Sequence, residues 1–318
     1  MAENHENKLD EFVPWNEITK VSEKRNVYEI DPEFRFGLNV LSIGGQIKWD
    51  MICSLGIIVL KPECFYTKKC HRIIDIIIKN DFEILAFQFG NLSISTICSI
   101  WRYQLNTASQ SRIRILFDIL EKRPYLAVLL RKKYQLDVPC TVRVSQLKGS
   151  SYPDTRTLNT IRGELAPPNP FLNYVHGCDE PADLVREIAV WFSPTLVEDV
   201  LDRDAVHIDL SALYNTITTY QNDIDFGLAD PIHALNRIRR SNPHGSSGSK
   251  IILSEIASSL SGGHTSLDAR EIISFFKRNN LVYARWDLYV LVSSVVELFD
   301  QTRQKLVGNI NPATLWIE

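Results

Sequence analysis

The chain has 318 residues, 45% of them hydrophobic and 23% charged, with a formal net charge of −3. That balance supports a sizeable globular core and lacks the concentrated positive charge of a nucleic-acid binder, so nucleic acid is not an expected partner. The polar start MAENHENKLDEF has no basic and apolar signal regions, no apolar run approaches the about 18 residues of a membrane span, and the six cysteines contain no C-x-x-C pair. The expectation is therefore no membrane, and reduced thiols in a cytoplasm.

Residues 1–25 read as a poorly ordered lead-in. Asn26–Ile30 and Phe36–Ile43 carry β-like composition, closed by Gly44-Gly45, and predict a small hairpin. Ser54–Leu60 (SLGIIVL) is a β-branched, fully apolar run that stops at Lys61-Pro62, so it predicts a buried central strand with a cation at its end. Lys68–Lys79 spreads Ile73, Ile74, Ile76, Ile77 and Ile78 over one broad face, as a helix does. Phe82–Phe89 alternates as a strand. Ile94–Tyr103 and Ser111–Lys122 predict helices, and Tyr125–Arg131 another strand. Cys140–Leu147 fits a strand or a short helix, and Gly149–Asn159 is turn-rich. Pro181 suits a first helical turn, ahead of an apolar stripe at Ala182, Val185, Ile188, Ala189 and Phe192. The order strand–helix–strand–helix–helix–strand fits an α+β sandwich of the ferredoxin-like type.

Beyond Phe192 the pattern turns helical over 195–240. Ser241–Lys250 (SNPHGSSGSK) has the composition of a flexible linker, and Ser266–Asn279 and Trp286–Gln304 predict two more amphipathic helices. The Gly-Ser stretch before Lys250 lacks the spacing and the preceding strand of a phosphate loop. His207, His233, His244 and His264 have no metal-ligand spacing. The expected organisation is an N-terminal extension over 1–50, a central domain over 51–195, and a helical C-terminal domain over 196–318 with its linker near 241–250.

Three stretches carry chemistry: LGIIVLKPECF, YPDTRTLNTIRGEL and NYVHGCDEPADLVREIAVWF. Together, over residues 52–195, they resemble the nucleoside diphosphate kinases, whose chains run from a strand ending in Lys-Pro-Asp, through T-I-R-G-D and N-x-x-H-G-S-D, to a helix with Glu and Trp-Phe. The resemblance implies an antiparallel sheet, a γ-phosphoryl relay from Mg2+-ATP through His176 to a nucleoside diphosphate or related acceptor, and a homo-oligomer. It implies that Lys61, Arg162 and Asn173 hold phosphates and ribose, that Glu187 orients His176, that Tyr103 stands near the nucleophile, and that Gly163 and Gly177 let the backbone pass close to the site. Imidazole suits this role, being nucleophilic near neutral pH without a helper base, and phosphoryl transfer needs chiefly positioning and charge neutralisation. Each residue also has a plainer reading: a core histidine, a cation closing a strand, an exposed helix glutamate.

The chain departs from the family pattern in four places. Cys178 replaces the serine after His-Gly, and Ser111 stands at the position of the base-stacking aromatic. Ser145 aligns with a second phosphate-binding arginine, for which Arg143 is two residues off, and the T-N-P-A-D loop is rewritten as Ser151-Tyr152-Pro153-Asp154-Thr155. These changes leave open a catalytically inactive nucleotide-binding or assembly protein. The C-terminal helices have no counterpart in the resemblance and read as an oligomerisation or packing extension, or as a lid or specificity module for a non-nucleotide acceptor.

Overall fold

The computed structural model describes residues 13–134, 137–202, 208–224, 227–262, 268–308 and 312–317. Among the described residues four helices come first, α1 (Trp15–Ile18), α2 (Ser22–Tyr28), α3 (Pro32–Val40) and α4 (Trp49–Ser54). Then come β1 (Leu55–Leu60), α5 (Pro62–Tyr66), α6 (Cys70–Lys79), β2 (Phe82–Asn91), α7 (Ile94–Ile100), α8 (Arg102–Leu105), α9 (Gln110–Leu120) and β3 (Pro124–Lys132). After α10 (Cys140–Lys148) and α11 (Ile161–Leu165), β4 (Val175–Gly177) and α12 (Pro181–Trp191) complete the sandwich. Seven helices follow: α13 (Pro194–Asp202), α14 (Leu210–Asn222), α15 (Pro231–Ser241), α16 (Ser247–Leu260), α17 (Ala269–Arg278), α18 (Arg285–Val295) and α19 (Pro312–Ile317).

The four strands form one antiparallel sheet in the order β2-β3-β1-β4. The fold is thus the expected α+β, ferredoxin-like sandwich with a helical C-terminal extension. Strand alternation splits the sheet between two cores. Leu55, Ile57 and Val59 of β1 join Tyr125, Ala127 and Leu129 of β3 in the core shared with α3, α7, α9 and α12. Ile58 and Leu60 join Leu126, Val128 and Leu130 in the core shared with α6 and α10. The first core does not stop at the sandwich: it runs from Trp15 in α1 to Val296 beyond α18. Among the described residues no helix is long and apolar enough to cross a membrane.

Several local expectations are corrected. Residues 13–25 are not a loose lead-in but carry α1 and most of α2, and the predicted hairpin is α2 and α3; residues 1–12 lie outside the described residues. The missed signal is Asp31-Pro32: the Asp31 carboxylate accepts from the backbone N–H groups of Glu33 and Phe34, an N-cap with proline in the first turn. Cys140–Lys148 resolves as helix. Ser241–Lys250 is no linker: α15 ends at Ser241, a short turn follows, and Ser246 caps α16 by accepting from Ser249 N at 3.2 Å. Buried Ile252, Leu253 and Ile256 then hold α16 in the core. The helix predicted over Trp286–Gln304 ends at Val295. Of the histidines without metal-ligand spacing, His207 and His264 lie outside the described residues.

Candidate active site

His176 sits in the middle of β4, paired with Val59 of β1. Directly opposite residues share a face, and Val59 faces the core under α12. The imidazole is therefore carried to α12, where its Nε2 meets Glu187 Oε2 at 2.7 Å. One helical turn on, Trp191 Nε1 donates to the same oxygen at 2.9 Å. Burial opposes ionisation of Glu187, yet His176, Arg186 and these hydrogen bonds hold its carboxyl below the ordinary range. A carboxylate only accepts, so Nε2 carries the proton, and Nδ1 is the nitrogen left to act as a nucleophile. The Trp101 and Trp191 rings lie 5.7 and 6.0 Å from the imidazole, fencing it with apolar edges. The His176 side chain keeps 18% of its surface exposed.

Two cations converge beside it. Lys61 closes β1, and its Nζ pairs with Glu63 Oε1 at 2.7 Å and donates to Phe171 O at 2.9 Å. Burial pushes its ammonium below the ordinary lysine value. Arg162 enters from α11, which Thr160 caps by accepting from Gly163 N at 3.0 Å. Its three nitrogens donate to carbonyls of Asn173 (3.2 Å), Gly149 (2.8 Å) and Val175 (2.6 Å). No carboxylate pairs with it among the described residues. Burial, with Asp179 opposing, pushes the guanidinium down to about 10. Asn173 donates to Pro170 O at 2.7 Å while its Oδ1 is buried without a partner. Tyr174, between Asn173 and β4, takes the left-handed conformation at φ 68°, a strain typical of site-forming loops.

The remaining expected residues are placed differently. Tyr103 lines the same cavity as His176, but its hydroxyl donates to Asp31 Oδ2 at 2.5 Å. Arg143 is not brought to the site: it pairs with Asp137 at 2.6 Å and bonds Gln146 at 2.9 Å. A side chain on β4's neighbour α10 takes that place instead. Lys148 Nζ donates to Gly177 O at 3.1 Å and pairs with Asp179 at 2.5 Å, which also accepts from Ser145 Oγ at 2.6 Å. Gly163 and Gly177 serve backbone packing: a Cβ on Gly163 would meet Thr157 O at 1.8 Å, and one on Gly177 would meet Ile57 O at 3.0 Å. The Cys178 thiol is buried, and burial raises its pKa well above the ordinary thiol value, so it supplies no thiolate.

Lys148 and Arg112 went unnoticed in the sequence. A lysine ending one helix and an arginine in the first turn of another carry no motif; only the packing of α10 and α9 brings them to His176. Two cavities meet at that residue. The larger, about 640 Å3, is polar and lined by Lys148, Arg162, Thr160, Ser150, Ser151 and Glu187 among others. The smaller, about 80 Å3, is lined by Lys61, Glu63, Arg112, Arg162, Asn173 and a set of apolar side chains. Among the described residues no group of three or more His, Cys, Asp or Glu side chains is set to hold a metal ion.

Residues 55–197 match the family model described as nucleoside diphosphate kinase. Similar solved structures include a nucleoside diphosphate kinase family protein from Babesia bovis, at 18% identity over 45% of this chain and 90% of that one, with a TM-score of 0.39. Another is the nucleoside diphosphate kinase of Aquifex aeolicus, at 19% identity over 44% and 95%, with a TM-score of 0.38. A third is the enzyme of Borrelia burgdorferi solved as a transition-state mimic with vanadate and ADP, at 17% identity over 49% and 91%, with a TM-score of 0.39. A search of curated proteins finds none that matches. The family match thus falls on the sheet and the helices around His176, and the chain extends beyond it on both sides.

Proposed function

We propose that the protein is a phosphotransferase that relays the γ-phosphoryl group of ATP through His176 to a nucleoside diphosphate or related acceptor. The chain Trp191–Glu187–His176 carries this reading, because it fixes the tautomer and leaves Nδ1 unprotonated on a residue that shares a cavity with Lys61 and Arg162. In the first half, Nδ1 attacks Pγ, the Nδ1–P bond forms, the bond from Pγ to the β-phosphate oxygen breaks, and ADP leaves. In the second, an anionic phosphate oxygen of the acceptor attacks the same phosphorus, the O–P bond forms, and the Nδ1–P bond breaks with its electron pair returning to Nδ1. Glu187 stabilises the imidazolium character that develops at each step. Lys61, Arg162 and Lys148 neutralise phosphate charge, with Asn173 and Gly177 close by. Mg2+ belongs to the ATP phosphates in this scheme and neutralises charge there. The unit that does the chemistry is the domain over 51–195, with 1–50 and 196–318 shaping access to it. A homo-oligomer in the cytoplasm completes the proposal.

A second reading has its own support. Lys61 is held by Glu63, and every nitrogen of Arg162 is bound to a backbone carbonyl, as befits a cradle turned into structure in an inactive nucleotide-binding or assembly protein. Phosphoenzyme trapping separates the two. Wild type incubated with γ-labelled ATP and Mg2+ is expected to acquire label that is lost in acid and survives base, and His176→Ala to acquire none. Wild type that binds ATP without acquiring label would sink the relay in favour of the second reading.

A further inference from the structure

The smaller cavity at His176 is built for something other than a nucleobase. Ser111, at the position of the expected base clamp, has its Oγ occupied by Ala269 N of α17 at 3.0 Å. Around it the C-terminal segments bond the stretch that leads into α9 and its lining residue Arg112. Ser109 Oγ donates to Glu297 O at 2.6 Å, and Asp300 N to Thr107 O at 2.8 Å. Next to the lining residue Pro170, Asn169 Nδ2 donates to Ser293 and Ser294 Oγ, both at 3.1 Å. What remains is about 80 Å3. That is well below the roughly 300 Å3 at which pockets for whole organic ligands begin, and it is room for a few waters or one tetrahedral or planar oxyanion.

The walls of that space are chemically unfinished. Arg112, in the first turn of α9, lies with its guanidinium 4.7 Å from the Phe299 ring centroid, and its Nη1 is buried without a hydrogen-bond partner. Glu63 Oε2 and Asn173 Oδ1, on two other side chains of the same cavity, are likewise buried and unpartnered. Buried polar atoms are nearly always satisfied, so three orphans around one cavity mark a missing partner. Charge gives its sign. Glu63 pairs with Lys61 through Oε1, so the lining sets three cations, Lys61, Arg112 and Arg162, against one carboxylate, and neither Arg112 nor Arg162 has a carboxylate partner among the described residues. Burial also lowers the pKa of both guanidiniums, the penalty of a cation without a counter-ion.

We infer that this cavity is an oxyanion subsite: it takes a phosphate or carboxylate group on Arg112, beside a hydroxyl that donates to Asn173 Oδ1, in place of a nucleobase. Given the relay on His176, on which this step rests, the acceptor is then a compact anion carrying a hydroxyl or phosphate oxygen within reach of Nδ1, while the phosphoryl donor enters through the larger cavity. That cavity, at about 640 Å3, is within the ordinary range for a nucleotide-sized ligand.

The test titrates the full chain with orthophosphate by calorimetry, with adenosine as competitor. Saturable phosphate binding is expected in wild type. It should weaken by about tenfold or more in Arg112→Gln, recover in part in Arg112→Lys, and be unaffected by adenosine. Unchanged phosphate affinity in a folded Arg112→Gln protein, or displacement of phosphate by adenosine from wild type, would overturn the subsite. Should Arg112→Gln fail to fold, Arg112→Lys and the adenosine competition still decide it. Phosphoenzyme labelling is read separately. Arg112-dependent anion binding without label would remove the relay and leave the subsite; label without such binding would do the reverse.

Discussion

At the scale of single residues, the site rests on one oxygen. Glu187 Oε2 accepts from His176 and from Trp191 at once, so the imidazole is held at a fixed rotation as well as a fixed tautomer. An amide oxygen in its place can still accept from both donors but carries no charge to offset a developing imidazolium. Glu187→Gln is therefore expected to slow labelling of His176 by about a hundredfold or more, with the half-saturating ATP concentration unchanged, since Glu187 positions the nucleophile and does not hold the phosphates. A parallel rise in half-saturating ATP would show that the residue acts on binding instead. His176, Lys61, Arg162 and Glu187 were all legible in the sequence, because each sits within one of the three stretches that resemble the family's motifs. Lys148 and Arg112 were not legible, because nothing local distinguishes them from solvent-facing cations. Arg143 misled for the same reason: proximity in sequence to the expected arginine does not survive the rotation of α10, which turns it to Asp137.

At the scale of elements, α12 is the keystone, and the N-terminal helices hold it. Its N-cap Glu180 accepts from Thr19 Oγ1 (2.7 Å), Lys20 N (2.7 Å) and Trp316 Nε1 of α19 (2.9 Å), and pairs with Lys24 at 2.8 Å. Asp183, in the first turn, accepts from Tyr28 and Lys24, both at 2.7 Å. Arg186 reaches Asp31 at 3.0 Å. Helices α3 and α12 approach so closely that a Cβ on Gly37 would stand 1.7 Å from Val185 O. Backbone cannot yield as a side-chain tip can, so Gly37→Ala is expected to destabilise the protein by about 2 kcal/mol or more. Denaturant unfolding measures it, and a change below about 0.5 kcal/mol would mean that α3 is free to shift. None of this was visible beforehand, because β-like composition in Asn26–Ile30 and Phe36–Ile43 outweighed the capping signal at Asp31-Pro32.

At the scale of the whole molecule, the core that backs the site includes side chains from α1 to α18. The excised segment 55–197 would expose Trp15's and Phe34's former contacts on α12 and the faces that α17 and α18 cover on α9. It is expected to lose cooperative thermal unfolding, whereas a sharp transition near that of the full chain would show that the extensions are dispensable. Acid should act on the same network. Burial opposes ionisation of Asp31, Asp179, Glu180 and Glu187, but Arg186, Lys148, Lys24 and His176 respectively overcome it and lower each carboxyl. Each folded value lies below the ordinary 3.8 of Asp or 4.5 of Glu. The stability these carboxylates contribute is thus complete above those ordinary values and lost as pH falls through the lowered ones. The unfolding temperature should hold steady down to about pH 5 and then fall steeply toward about pH 3; a flat profile over that range would count against the network.

The sequence by itself marked three of the four strands, the buried central one among them, and the helix behind His176, because strand alternation and helical periodicity are local and repeat at known spacings; the antiparallel sheet and the residues gathered at β4 were expected from the family resemblance of three short stretches. Tertiary structure alone decided that the N-terminal helices hold α12, that a serine- and glycine-rich stretch starts a packed helix, and that Tyr103 turns to Asp31. It also decided that Lys148 and Arg112, rather than Arg143, line the space beside His176. Most of these outcomes depend on contacts between residues far apart in the chain, such as Thr19 with Glu180 or Tyr103 with Asp31. No periodicity or spacing within a stretch of sequence encodes which distant partner a buried charge or an apolar face will meet.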